Sequence, residues 1–457
     1  MRARQIDYRE WHHLFRQIPE ELVESTRYYR HLNDAEWSKY LFPPSTHAVY
    51  GNRLLRKLKF DNSLASLRLW GFAMSEGERL YRARQSGYRV IAEMGDLGAV
   101  TPLVHSFPDT ISFYPDCLWW TPFLMESHVL FNEAAEFGLG EDCCFVRAAI
   151  GGYSKRAYFP KPDLNIGVTG ATCDDMAAVM SEIALSGDEI HWFELPHRSE
   201  DNFQYSKKFL AGEHKKLCNK MEELTGVKFS ESRFNDVVDK VNRLRSLIKE
   251  CKELTAADGL NPIGGIEMMN VEFSALSYYA DLDECLSVIE DFRDMLKARV
   301  NAKEGYTGQD IKIIWVTPAA DPILINYLEE LGGRIAGSEY VINQVTSRIR
   351  KDCSPFEALA EAQLQGSLMG SSAFRAQLVL DEIERTKADG AIISGIFGSS
   401  HCPFETSIII KAVREKGLPV LAFDTAQPGK VKLQSQIYNR MQAFMESIRI
   451  SRSRYAG

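Results

Sequence analysis

No Cys-x-x-Cys pair occurs anywhere in the 457 residues, which removes the main support for a zinc ribbon or a thioredoxin-type redox centre. There is no Gly-x-x-x-x-Gly-Lys-Ser/Thr to cradle ATP phosphates, and no Gly-x-Gly-x-x-Gly follows a strand to seat a nicotinamide cofactor. A Gly-x-Ser-x-Gly nucleophile elbow is missing too. Positive charge is in short supply: 54 Lys and Arg against 62 Asp and Glu leave a net charge of -8, without the basic face that nucleic acid demands. No nucleic-acid partner is expected. No apolar run approaches the roughly 18 residues of a membrane span. The opening stretch MRARQIDYREWHHLF has no apolar core of a secretory signal. The expectation is a cytoplasmic protein with no membrane partner.

What is present is ordinary for a folded chain: 45% hydrophobic and 25% charged residues exclude disorder, collagen and coiled coil. The length points to two or three domains, each with a core. Nine cysteines, at positions 117, 143, 144, 173, 218, 251, 285, 353 and 402, are odd in number and widely scattered. That pattern fits reduced thiols rather than a disulfide scaffold. Any metal would draw its ligands from distant segments.

Residues 1–87 are rich in charged and aromatic side chains at helical spacing and predict a helical N-terminal region. At Tyr88 the grain changes, because YRVIAEMG reads as a short apolar strand and a glycine turn. A first α/β domain is expected over 88–210. Within it, residues 164–196 read as strand, glycine turn, helix, glycine stop and strand, one βαβ unit. Residues 389–424 repeat this order, and 311–341 match the stretch that begins at Tyr88. A second α/β domain is therefore expected over 307–457. Between them 211–306 predicts a helical connector, broken by TGVKFSES, where Ser230 or Ser232 caps the next helix. The fold class is α/β: two tandem Rossmann-like parallel-sheet domains with a helical N-terminal region and connector.

In open parallel sheets ligands lie beyond the carboxyl ends of the strands. Cys173 and Cys402 both fall there, each at or just before a helix N-terminus, where free N–H groups favour a thiolate. A third candidate is Cys143 in FGLGEDCCFVRAAIGGY, beside Cys144, an acidic loop and an arginine. Neighbouring cysteines do not easily share one metal. Thiolates from separated loops, with no histidine at helical spacing, suit an iron-sulfur site better than zinc, while small buried cysteines remain the bland alternative. His401, Ser399 and Ser400 stand beside Cys402 as candidates for hydrogen-bonding a sulfur or facing substrate. The cluster WWTPF at 119–123 reads as core or lid.

These residues carry a resemblance. EDCCFVRAAIGGY, VTGATCDD, TGVKFSESRF, ADGAIISGIFGSSHCPF, GLPVLAFD and QSQIYNRMQAFMES occur in the order found in the 2-hydroxyacyl-CoA dehydratase and benzoyl-CoA reductase family, across residues 85–450. The resemblance implies a heterodimer with a related iron-sulfur subunit, and a 4Fe-4S cluster held by cysteines at the cleft between domains. It also implies a separate ATP-hydrolysing electron activator, which accords with the missing phosphate loop. Substrates would be acyl-CoA or aryl-CoA thioesters, processed by one-electron chemistry that needs a very low potential and a dry pocket.

The resemblance assigns Cys143 and Cys402 to the metal, with Cys173 as third ligand and Cys117 as a lesser candidate. Relatives carry another cysteine soon after the first strand of the α/β region, where this chain has Ala99 or Thr101. Oxygen ligation, or a cluster-free subunit that shapes a catalytic mate's pocket, therefore stays open. So does the choice between dehydration of a 2-hydroxyacyl-CoA and ring reduction of an aryl-CoA, the missing cysteine tilting toward reduction. Cys218, Cys251, Cys285 and Cys353 read as structural.

Overall fold

A computed structural model of the chain describes residues 3–17, 57–95, 98–115, 128–140, 143–155, 159–199, 201–257, 259–316, 320–340, 346–399, 405–425 and 434–455. Its strands are β1 (Gln5–Asp7), β2 (Lys59–Asp61), β3 (Arg89–Met94), β4 (Thr110–Phe113), β5 (Leu164–Gly170), β6 (Ile190–Leu195), β7 (Ile311–Val316), β8 (Gly333–Glu339), β9 (Gly390–Ile396) and β10 (Val420–Thr425). Two four-stranded parallel sheets carry the fold, as the tandem α/β reading expects.

The sheets share one plan. The first has the order β4-β3-β5-β6 and the second β8-β7-β9-β10. In each, the chain moves from its first strand to one side, then returns across that strand to continue on the other. This places the topological switch point between β3 and β5 in one sheet and between β7 and β9 in the other. β7 and β9 are buried along their whole length, which is why IKIIWV and GAIISGI read as unbroken apolar runs rather than alternating ones.

Helices Tyr8–Gln17, Leu64–Met74 and Glu76–Gln85 occupy the N-terminal region. The structure adds an antiparallel ladder of β1 and β2, with Ile6 opposite Phe60. Three-residue strands are too short for a period-2 signal. The ladder is held by aromatic packing: Trp11 stacks on Phe60 at 4.5 Å, and Trp70 meets Phe60 edge-on at 5.4 Å.

The connector comprises helices Phe203–Thr225, Glu231–Thr255, Gly265–Ser277 and Leu282–Ala302. Ser230 caps the second, its side chain accepting from Arg233 N at 3.4 Å. The Gly265–Ser277 helix is buried on every face, so its polar residues need internal partners. Glu267 accepts from Asp61 N at 2.9 Å and Trp70 Nε1 at 3.3 Å, and Glu272 accepts from Ser338 Oγ at 2.6 Å. One hydrophobic cluster runs from Trp11 and Phe60 through Val241 and Leu276 to Trp315 and Phe423. It locks the N-terminal region, the connector and the second sheet together. Among the described residues no helix is long and apolar enough to cross a membrane.

Candidate functional site

β5 ends at Gly170 with φ at +101°, where an added Cβ would overlap the Leu195 carbonyl oxygen. Glycine alone tolerates both conditions. The chain then turns, Ala171 N donating to Leu195 O at 2.9 Å, and Cys173 becomes the N-cap of helix Asp174–Leu185. Cys173 makes no side-chain capping bond. Both first-turn residues, Asp174 and Asp175, are acidic.

The Cys143 loop meets this helix. The Cys143 thiol points to Asp175 Oδ1 at 3.6 Å. Arg147 folds back on the loop, donating Nη1 to the carbonyls of Cys143 and Cys144, the latter at 3.1 Å, while its guanidinium lies 4.8 Å from the Phe131 ring centre. A buried cation thus clamps the backbone on which both cysteines ride. The sequence shows an arginine there, but its fold-back onto two carbonyls has no sequence signal.

The second domain reaches the same place. Ile396, the last residue of β9, packs in one hydrophobic cluster with Cys144, Phe145, Cys173 and Met176 of the first domain. Nearby, Arg198 after β6 donates its N–H to Met369 O at 2.6 Å and lies over the Phe374 ring at 4.0 Å. The end of β9 thus shares a hydrophobic cluster with the turn after β5, and β5 and β9 hold equivalent positions in their sheets.

Beyond β9, Ser399 N donates to Ile396 O at 3.1 Å, and the buried Ser399 Oγ has no hydrogen-bond partner among the described residues. Ser400, His401 and Cys402 lie outside the described residues, as do Cys117 and the WWTPF cluster. Glu405, at the start of the next helix, pairs with Arg375 Nη1 at 2.8 Å. Arg375 has no solvent exposure and also pairs with Glu339 at 2.9 Å, and Glu339 accepts from Ser367 Oγ at 2.6 Å. One arginine thus ties Glu405, three residues beyond Cys402 in sequence, to the end of β8.

The family model for 2-hydroxyglutaryl-CoA dehydratase, D-component, matches residues 115–448. The chain belongs to this family. Comparison with curated proteins gives no significant match. The family match begins after β4, so β3 and its loop lie outside it while both switch-point cysteines lie within.

In this dehydratase-family chain the β3 loop offers no evident ligand at the two positions named above. Thr101 Oγ1 donates to Glu93 Oε2 at 2.7 Å, and Tyr114 OH donates to the same oxygen at 3.1 Å. Glu93 is wholly buried, and this network fixes the loop. Ala99 has no donor atom and lines a small cavity. Neither Glu93 nor Tyr114 stands out in the sequence, because an internal carboxylate on a strand looks like any surface glutamate.

Among the described residues no three His, Cys, Asp or Glu side chains are arranged to hold a metal ion. Cys143 and Cys173 are both buried, Cys173 in a cluster with Phe145, Val146 and Met176, and they supply two soft donors in a dry setting. That donor chemistry fits an iron-sulfur group, provided further ligands come from segments such as the Cys402 loop. The remaining thiols differ in character. Burial pushes Cys218 up to about 11 and drives Cys251 and Cys285 higher, so all three stay protonated inside helices. Cys353 is half-buried and its thiol is raised, again mainly by burial.

Proposed function

We propose that this chain is a subunit of an oxygen-sensitive enzyme that eliminates water from a 2-hydroxyacyl-CoA thioester, paired with a related iron-sulfur subunit. The reading includes a separate ATP-hydrolysing activator as the source of single electrons. It rests chiefly on one observation: Cys143 meets the helix that Cys173 caps, and the end of β9 shares a hydrophobic cluster with Cys173, the two sheets having like order. Membership of the dehydratase family supports the substrate class. The domains are read as 1–87, 88–210, 211–306 and 307–457, with the cleft between the second and fourth.

In this reading Cys143, Cys173 and Cys402 hold a 4Fe-4S cluster, Cys117 being the less favoured donor. Such a cluster, when bound, supplies electrons at low potential. The chain's own groups do the rest. Asp175 Oδ1 is placed to take the proton that Cys143 Sγ gives up on becoming a ligand. Arg147 keeps the loop carbonyls in place and adds positive charge beside the thiolates. Phe145, Met176 and Ile396 exclude water, which strengthens electrostatic interactions within the cleft. Ser399, Ser400 and His401 are the candidates for hydrogen-bonding a cluster sulfur or meeting substrate. The odd number and wide scatter of the nine cysteines support a reducing, cytoplasmic compartment.

Dehydration recycles its electron, whereas ring reduction of an aryl-CoA consumes electrons in every turnover. The test is anaerobic turnover of the complex with its activator. Formation of a 2-enoyl-CoA with ATP used well below one per product supports the reading; ring reduction with ATP consumed in fixed proportion would replace it. A second reading, a cluster-free subunit that shapes the pocket of its mate, is favoured by Ala99 and by the engaged Thr101 hydroxyl.

A further inference from the structure

Between the exit of β3, the Glu231–Thr255 helix and the Pro355–Gln363 helix lies a cavity of about 10 Å³, lined by Ala99, Arg245, Ile349, Leu359, Ala362 and Gln363. That is room for one water molecule or one halide-sized ion. Four of its six lining residues are apolar and none is acidic. The other two are both more than nine-tenths buried: Arg245 is 6% exposed and Gln363 5%.

Each of these two side chains has an unused N–H. Arg245 Nη1 donates to the Ser347 carbonyl, yet its Nε has no hydrogen-bond partner and no carboxylate pairs with it among the described residues. Burial pulls the guanidinium down to about 10, which still leaves it charged at neutral pH. Gln363 Oε1 is taken by His214 Nε2 at 3.1 Å. Burial holds His214 neutral, down to about 3, so the imidazole N–H donates and the amide oxygen is turned toward it. Gln363 Nε2 is thereby left without a partner. A buried cation with no counter-charge is costly, and folded proteins pair such charges.

We propose that this cavity binds one monovalent anion of halide size, held by Arg245 Nε and Gln363 Nε2. The anion would join three parts of the chain: the β3 exit through Ala99, the connector through Arg245 and the second domain's flank through Gln363. It does not depend on the dehydratase reading. Larger anions such as sulfate do not fit the space.

Thermal unfolding of the full-length chain at constant ionic strength, with chloride or bromide exchanged for gluconate, tests this directly. The expected result is a melting temperature that rises logarithmically with halide above a midpoint, with no such rise in sulfate. Arg245→Met should abolish the halide dependence, and Gln363→Leu should raise the midpoint by about tenfold, the worth of one hydrogen bond to a charge. A wild-type melting temperature that responds alike to chloride, gluconate and sulfate would overturn the proposal. So would a halide effect that survives unchanged in Arg245→Met. Should that variant fail to fold, Gln363→Leu decides: a raised midpoint supports the site, an unchanged one removes it.

Discussion

Cys143 Sγ stands 3.6 Å from Asp175 Oδ1, so the cysteine of the acidic loop is held against the first turn of the helix that Cys173 caps. Two cysteines distant in sequence thus share one helix end, and Ile396 brings the second domain to it. The account of function follows from this meeting.

If Cys143 and Cys173 are ligands, Cys143→Ala and Cys173→Ala each remove most of the iron from anaerobically purified protein while far-ultraviolet circular dichroism is kept. Cys251→Ala, a buried helical thiol whose protonated form burial favours, should retain it. Equal iron in all three variants would leave the thiols at the cleft without a metal role.

Arg375→Met should be strongly destabilising. It strands Glu339 and Glu405 around a site from which water is excluded, and breaking a buried pair in this way costs about 3–5 kcal/mol. Urea denaturation measures the loss directly. A change under about 1 kcal/mol would mean that the pair is already solvated.

Gly170→Ala touches no proposed ligand, yet it forces a side chain into a left-handed backbone against the Leu195 carbonyl. Strain of this kind costs about 1–3 kcal/mol and should shift the Cys173 turn. Reduced stability together with reduced iron content is the expected pair of effects. Full iron content in this variant would show that the turn's geometry is not needed.

Stability should fall as pH rises through neutrality. Burial, with the nearby Asp61 charge, raises Glu267 to about 8 from an ordinary value of 4.5. The folded chain then keeps a proton that the unfolded chain releases, so the contribution is complete below about 4.5 and is lost as pH climbs through 8. Glu76, raised to about 7 chiefly by burial, acts with the same sign. His214, depressed to about 3, works the other way, but only below its ordinary value of 6.5. Between pH 6.5 and 8 the acids decide, with a slope of at most about 1.4 kcal/mol per pH unit for each proton. Glu267→Gln should flatten this slope in denaturation at stepped pH; an unchanged slope would reassign the proton.

Sequence alone exposes those parts of the fold whose signals are local. β5, its glycine turn, the helix after Cys173 and β6 read off an apolar run, a glycine stop and a second run, and β9 with β10 repeats that order. Placing Cys173 at a strand's carboxyl end needs only that order. The β1–β2 ladder escapes notice because three residues carry no period and its partner strand is remote in sequence. The Cys143–Asp175 contact, the Arg147 clamp, the Glu93–Thr101 bond and the Arg375–Glu405 pair are made by tertiary folding, which brings together side chains no spacing rule connects. Arg245 is hidden for the same reason: on its helix it reads as one more charged residue, and only packing shows that no carboxylate among the described residues pairs with it.

Iron and acid-labile sulfide per chain, with electron paramagnetic resonance after reduction, test the central claim most directly, on protein purified without oxygen both alone and with its partner subunit. About four irons and four sulfides on this chain, with the signal of a reduced cluster, is the predicted result. Iron found only in the pair, and wholly assigned to the partner, would contradict it and leave this chain as the subunit that shapes the pocket.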